Sequence, residues 1–119
     1  MSKYISAEDN LMKYDKGAII VYGSVYADGK PAILIKGAED DAPVTKATVN
    51  DEDSSLAMRV VAIKNWSENE GVLETLMNAG IIDPMMAVQM NRVKIHYVYV
   101  ADDSIIQEIK EASEKRSAA

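Results

Sequence analysis

The chain has 119 residues, no cysteine and a formal net charge of −6 at pH 7. This length is typical of one domain, and a chain without cysteine has no disulfide, thiol catalysis or cysteine–zinc site. The negative charge disfavours direct binding to nucleic-acid phosphates and favours a partner with a basic surface. No apolar stretch reaches the about 20 residues of a membrane span, and the start turns acidic at Glu8-Asp9 where a signal peptide would be apolar, so we expect a cytoplasmic protein.

The first half of the chain predicts strands joined by turns. Residues 1–17 indicate a short helix or turn, and the β-branched and aromatic residues 18–26 indicate a strand. Asp28-Gly29 is typical of a tight hairpin turn, after which residues 31–36 return as a second strand. Two more strands are predicted at 44–50 and 60–63, each after an acidic loop.

A helix is predicted from Ser67 to about residue 79, ended by Gly80. Ser67 and Glu70 have the spacing of a capping box, and Trp66 before them suits a hydrophobic staple against Val72 or Leu73. A glycine inside a helix is unfavourable, so close packing is the expected reason for Gly71.

The same segment has a second interpretation, as a polar recognition loop that lines a pocket for a small ligand. The residues of that pocket would be Asn65, Trp66, Asn69 and Glu70.

The last part of the chain predicts one strand and one helix. Residues 81–91 favour either a short helix opened by Asp83-Pro84 or an extended loop, and residues 93–100 favour a strand. The final helix carries an apolar stripe of Ile105, Ile106, Ile109 and Ala112. Either the chain's own sheet or the same helix of a second copy could cover that stripe. We predict a homodimer with Ile106 and Ile109 near its axis.

The order of elements indicates an α+β fold, a mostly antiparallel sheet of about five strands with helices packed on one face. We expect a single domain over 1–119: an N-terminal helix or turn at 1–17, the sheet and central helix at 18–100, and a C-terminal helix at 101–119.

The sequence contains no constellation of residues that indicates catalysis. His96 is the only histidine, and a lone histidine on a strand is more often structural than catalytic. Asp51-Glu52-Asp53 lacks the ligand spacing of a calcium loop, so we expect neither a metal, a cofactor nor an enzyme. Met85, Met86 and Met90 favour either a flexible interface or gap-filling core.

Four segments together resemble a family of small uncharacterised proteins encoded by bacteriophages, plasmids and other mobile elements. They are Lys30-Pro31-Ala32-Ile33, Ala47-Thr48-Val49-Asn50, Ile63-Lys64-Asn65-Trp66-Ser67-Glu68-Asn69-Glu70-Gly71 and Ala79-Gly80-Ile81-Ile82. The resemblance covers roughly residues 18 to 100, and the helix after Val100 lies outside it. It implies a small accessory protein in a phage-infected or plasmid-bearing cell. Small acidic proteins of that setting include inhibitors of host defence such as anti-CRISPR proteins, which is an analogy.

Two hypotheses follow. In the first, the protein is an inhibitor whose acidic loops meet a Lys/Arg-rich surface of a host protein or protein–nucleic-acid complex. The residues of those loops are Glu39, Asp40 and Asp41 in one and Asp51, Glu52 and Asp53 in the other. In the second, it binds or sequesters a small ligand or nucleotide in the pocket described above.

Overall fold

The computed structural model describes residues 2–118, without the side chains of Met90, Ser117 and Ala118. The two terminal residues of the predicted domain therefore lie outside the described residues. The interface or gap-filling role predicted for Met90 lies outside them as well. It has two four-stranded antiparallel sheets and two helices. The predicted α+β class is therefore confirmed, with more strands than the five expected.

The first sheet contains β1 (Lys3–Ile5), β2 (Ile19–Val25), β3 (Pro31–Gly37) and β4 (Pro43–Lys46), in that order across the sheet. The second contains β5 (Thr48–Val49), β6 (Val60–Ile63), β7 (Ile82–Met90) and β8 (Val93–Val100), in the order β5-β6-β8-β7. The helices are α1 (Val72–Asn78) and α2 (Asp103–Ala118), and a short 3-10 turn spans Ser67–Asn69.

The predicted strand at 44–50 is divided between the two sheets at Ala47. The buried Ala47 donates its N–H to the Ile33 carbonyl in the first sheet, at 2.9 Å, and accepts the Lys64 N–H next to the second sheet, also at 2.9 Å. The chain thus passes from the first sheet to the second at Ala47. The alternation of apolar and polar residues in the sequence does not indicate this crossing point.

Two strands were not predicted. Lys3–Ile5 pairs with β2 as an edge strand, where a helix or turn was expected, and turns follow at residues 7–9. Residues 82–90 form β7 rather than a helix or loop. Pro84 lies in this strand because β7 is at the edge of its sheet, where a missing donor is tolerated, and the register shifts between Pro84 and Met86.

Both sheets and both helices contribute side chains to one large core. Its fully buried members include Val21, Ile33, Ile35, Ile63, Leu76, Ile82, Val98, Ile105 and Ile109. α2 packs mainly on β2, and the two approach closely at Gly23, where an added Cβ would lie 2.5 Å from the Ile105 carbonyl oxygen. The core therefore explains the glycine in an otherwise β-branched strand.

Candidate functional site

The predicted capping box at the start of the helix is wrong. Residues 67–69 form the 3-10 turn and α1 begins only at Val72, so Ser67 cannot cap it. The capping group is the Asn65 side chain, whose Oδ1 accepts the N–H groups of Gly71 at 3.2 Å and Leu73 at 3.0 Å. These are helix-start donors that would otherwise lack a partner.

Gly71 is required at the N-cap of α1 for two reasons. Its φ is +98°, in the left-handed region, and the chain near Leu11 crosses directly over it. A Cβ at this position would meet the Leu11 carbonyl oxygen at 2.2 Å. Close packing at Gly71 is therefore confirmed, and the neighbour is the N-terminal segment.

The small-ligand pocket stays a prediction, and the two amides on which it depends are hydrogen-bonded within the fold. Asn69 is fully buried: its Oδ1 accepts the Thr45 hydroxyl at 2.6 Å and its Nδ2 donates to the Lys46 carbonyl at 2.7 Å. Glu70 lies on the surface, with a carboxylate oxygen 3.3 Å from Lys13 Nζ. Asn65 and Asn69 therefore serve structure, whereas the Glu70 carboxylate remains on the surface.

Trp66 lies against the second sheet, half-buried, and does not form the predicted staple with the first turn of the helix. It packs on a small cluster of Val60, Ala62, Ile95 and Tyr97. This cluster is separate from the main core and marks the opposite, outer face of the sheet.

The outer face of the second sheet is apolar, and part of it is exposed to solvent. Met86 lies opposite Tyr97, and Val60 lies opposite Tyr99, so these side chains share one face. They border a depression of about 640 Å³. We call its apolar lining the Met/Tyr surface, which comprises Met58, Val60, Met85, Met86, Val88, Tyr97 and Tyr99.

Four of these side chains are strongly exposed: Met58 at 66%, Met86 at 56%, Tyr99 at 44% and Met85 at 39%. Single exposed apolar residues are normal on a protein surface, whereas a contiguous group of them is a candidate interaction site. Methionine side chains are flexible and polarisable, and they suit surfaces that adapt to a partner.

The acidic loop of Asp51, Glu52 and Asp53 (the 51–53 loop) forms one rim of this depression. Tyr97 Oη donates to Asp51 Oδ2 at 3.0 Å, and Lys30 Nζ donates to the carbonyls of Asp51 at 3.3 Å and Glu52 at 2.6 Å. Burial, followed by the nearby Asp51 carboxylate, raises the pKa of the Tyr97 hydroxyl, so Tyr97 stays neutral and acts as a donor. The loop is thus fixed, with Glu52 and Asp53 exposed.

The second acidic loop, Glu39, Asp40 and Asp41 (the 39–41 loop), lies in a different environment. Asp41 is paired with Lys36 at 2.6 Å, and Asp40 Oδ1 accepts the Ala42 N–H at 3.1 Å within the turn. Glu39 and Asp40 line a separate depression of about 680 Å³, whose walls come from the first sheet and the N-terminal segment. The structure therefore does not bring the two predicted acidic loops into one site.

Ile106 and Ile109, predicted near a dimer axis, lie in the core of their own chain. They are 3% and 0% exposed, and the helix that carries them packs on β2. Their placement at a dimer interface is therefore wrong, because the chain's own sheet already covers the stripe.

Part of the Met/Tyr surface could be predicted from the sequence. The methionines and the 51–53 loop each indicated an interface, but their adjacency depends on β7 being a strand that pairs with β8. The contribution of Met58 was missed, because it has no local signal that separates an exposed residue from a core one.

Within residues 2–118, no group of three or more histidine and carboxylate residues is arranged to hold a metal ion. None of the helices in that range has both the length and the apolar composition to cross a membrane.

No protein-family model, curated protein or solved structure matches this chain.

Proposed function

We propose that this protein is a non-enzymatic inhibitor encoded by a phage or other mobile element, which acts in the host cytoplasm by binding the basic surface of a host defence nuclease complex, as anti-CRISPR proteins do. The observation that supports it is the position of the 51–53 loop at the rim of the exposed Met/Tyr surface. The cellular setting comes from the family resemblance, and the binding mode comes from the site. The proposal includes neither a cofactor nor direct binding to nucleic acid.

The negative charge of the 51–53 loop determines which partner surface it attracts and how the two proteins are oriented. A protein of net charge −6 is attracted to Lys/Arg-rich surfaces, and complementary charge raises the association rate and fixes the orientation of the complex. Because Tyr97 and Lys30 hold the loop in place, little ordering of the loop is required when a partner binds. Preorganisation of this kind improves affinity by reducing the entropy lost on association.

The apolar part of the site gives the contact its strength. Exposed ion pairs contribute only about 0–1 kcal/mol each, so acidic residues alone make a weak and salt-sensitive complex. Burial of large apolar side chains at the centre of an interface, surrounded by a polar rim, is the usual source of affinity. Met58, Met86 and Tyr99 form such a centre, with Glu52 and Asp53 at its edge.

The competing hypothesis of a small-ligand or nucleotide binder has less support. Its pocket depended on Asn65 and Asn69, and both amides are hydrogen-bonded to the chain itself. The Met/Tyr surface is broad and open, a shape that suits a protein partner better than a small polar ligand.

The test is inhibition of DNA cleavage by a panel of purified CRISPR effector complexes, with the wild type and two charge-reversal variants. Glu52→Lys with Asp53→Lys changes the rim of the site. Glu111→Lys with Glu114→Lys makes the same charge change on exposed positions of α2 and serves as the matched control. Where the wild type inhibits, we expect the rim variant to associate at least about tenfold more slowly at low salt, with a smaller difference at high salt.

The control variant should stay close to the wild type. Equal losses in both variants would mean that only overall charge matters and would contradict a contact at the 51–53 loop. A wild type that inhibits none of the complexes, at any salt concentration, would contradict the assignment to host defence.

A further inference from the structure

The edge strand β7 has a feature that the proposed function does not explain. It is the longest strand of the protein, and among residues 2–118 only β8 pairs with it. Its outer edge therefore presents backbone N–H and C=O groups that another strand could bind. Such an edge is an open template for further pairing.

β7 is also exposed on both faces. Met86 and Val88 lie on the outer face, opposite Tyr97 and Ile95, whereas Ala87 and Gln89 alternate with them and point to the other side. Met86, Ala87 and Gln89 are all exposed, and Val88 is only half-buried. In an isolated chain, a strand that is exposed on two faces and one edge is expected to be polar. Residues 85–90 are instead mostly apolar, with the sequence Met-Met-Ala-Val-Gln-Met.

The other sheet edges differ from β7 in the ways that prevent pairing. β1 has three residues and β5 has two, and β4 has four residues with Pro43 at its start and Lys46 at its end. Short edge strands, proline and lysine are the usual means by which proteins avoid edge-to-edge association. On β7, Pro84 and the shifted register affect only the first part of the strand, and residues 85–90 contain no charge.

We propose that the β7 edges of two copies of this chain pair antiparallel about a two-fold axis, which joins their second sheets into one continuous eight-stranded sheet. This proposal does not depend on the proposed function. It replaces the predicted α2 interface with a different surface.

Hydrogen-bond geometry determines the register of this pairing. The two-residue turn at Asn91 and Arg92 makes Met90 and Val93 the closing pair of the β7–β8 hairpin. Because backbone groups alternate in direction along an antiparallel strand, those of Ala87 and Gln89 point away from β8 and toward the open edge. A two-fold axis at Ala87 then places Ala87 opposite its own copy and Met86 opposite Val88.

If two copies associate, charge restricts the contact to an uncharged edge and favours this register. Two chains of net charge −6 repel each other over most of their surface, so a self-contact requires an uncharged surface such as residues 85–90. The register also brings the Asn91-Arg92 turn of one copy to the Asp83-Pro84 end of the other. Asp83 and Arg92 are both exposed, and two symmetric pairs of opposite charge would lie at the ends of the uncharged contact.

The pairing is tested first by light scattering with matched variants. The wild type should have twice the 13.0 kDa mass of the chain, and Ala87→Lys should have the mass of one chain, because two lysines would face each other across the axis. Ala42→Lys places the same charge on an exposed turn of the first sheet and should remain dimeric. Circular dichroism confirms that each variant is folded.

Cysteine cross-linking tests the register, since the natural chain has no cysteine. Directly opposite Cα atoms in a hydrogen-bonded pair lie about 5.5 Å apart, within the range that a disulfide spans. Ala87→Cys should therefore give a covalent dimer under mild oxidation. Met86→Cys should not, because it faces Val88 and lies about 7–8 Å or more from its own copy.

A wild type that stays monomeric up to its highest soluble concentration would overturn the proposal. The β7 edge would then be available for pairing with a different protein. A dimer that survives Ala87→Lys, or that cross-links through Met86→Cys as readily as through Ala87→Cys, would also overturn it.

Discussion

The two faces of the second sheet come from the same strands and differ in what covers them. On the inner face, Ile63, Ile82 and Val98 are buried and close the main core. The outer face is nearly as apolar, and among the described residues Trp66 and the 51–53 loop cover part of it. An antiparallel sheet with one solvated face normally alternates apolar and polar residues. β8 lacks that alternation from Tyr97 to Val100, where the inner face belongs to the folding core and the outer face is the surface that we propose for association.

The largest expected effect comes from comparing the two faces along one strand. Ile82→Ala removes a buried side chain from the inner face and should lower the free energy of unfolding by about 2–5 kcal/mol. Met86→Ala, on the outer face of the same strand, should change it by no more than about 0.5 kcal/mol. Chemical denaturation of both variants measures the difference, at a protein concentration where the oligomeric state is the same. Equal losses would mean that the outer face is also part of the folding core.

A smaller effect is expected at Trp66, the main cover of the outer face. Trp66→Ala should cost about 1–3 kcal/mol, less than the about 3–5 kcal/mol of a fully buried aromatic residue, because the ring is half-buried. Thermal unfolding measures the loss, and Trp66→Phe is the matched control that retains most of the contact area. An unchanged melting temperature would show that the ring contributes nothing to the outer cluster.

The smallest effect concerns pH and involves His96, which lies in the middle of β8 on the inner face of the sheet. Burial, followed by the nearby Lys94 charge, lowers the pKa of His96 below its ordinary value of 6.5. The folded protein therefore binds a proton less readily than the unfolded chain, so the contribution of His96 to stability is present above pH 6.5 and is lost as the pH falls below that value toward the folded-state pKa. As the pH falls through this window, the melting temperature of the wild type should decrease more than that of His96→Gln. A parallel pH dependence of the two proteins would assign the change to other groups.

The helix entry illustrates how local patterns mislead. Ser67 and Glu70 have the spacing of a cap, but the cap is Asn65, two residues upstream of Ser67, because Gly71 adopts a positive φ under the crossing N-terminal segment. Asn69 likewise resembles a surface recognition residue and is a buried hydrogen-bonding centre for Thr45 and Lys46. In both cases the deciding partner is distant in sequence, so spacing alone could not identify it.

The sequence by itself determined the features that depend on neighbouring residues. The β-branched run at 18–26, the Asp28-Gly29 turn, the strands at 60–63 and 93–100 and the apolar stripe of α2 could all be predicted from it, and the α+β class follows from their order. Only the tertiary structure decided that Ala47 divides one strand between two sheets, that Ile106 and Ile109 are covered by β2, and that Met86 and Tyr97 meet beside the 51–53 loop. The physical reason is that the periodicity of apolar residues in the sequence indicates which side chains are to be buried. Long-range pairing between strands determines which surface covers them.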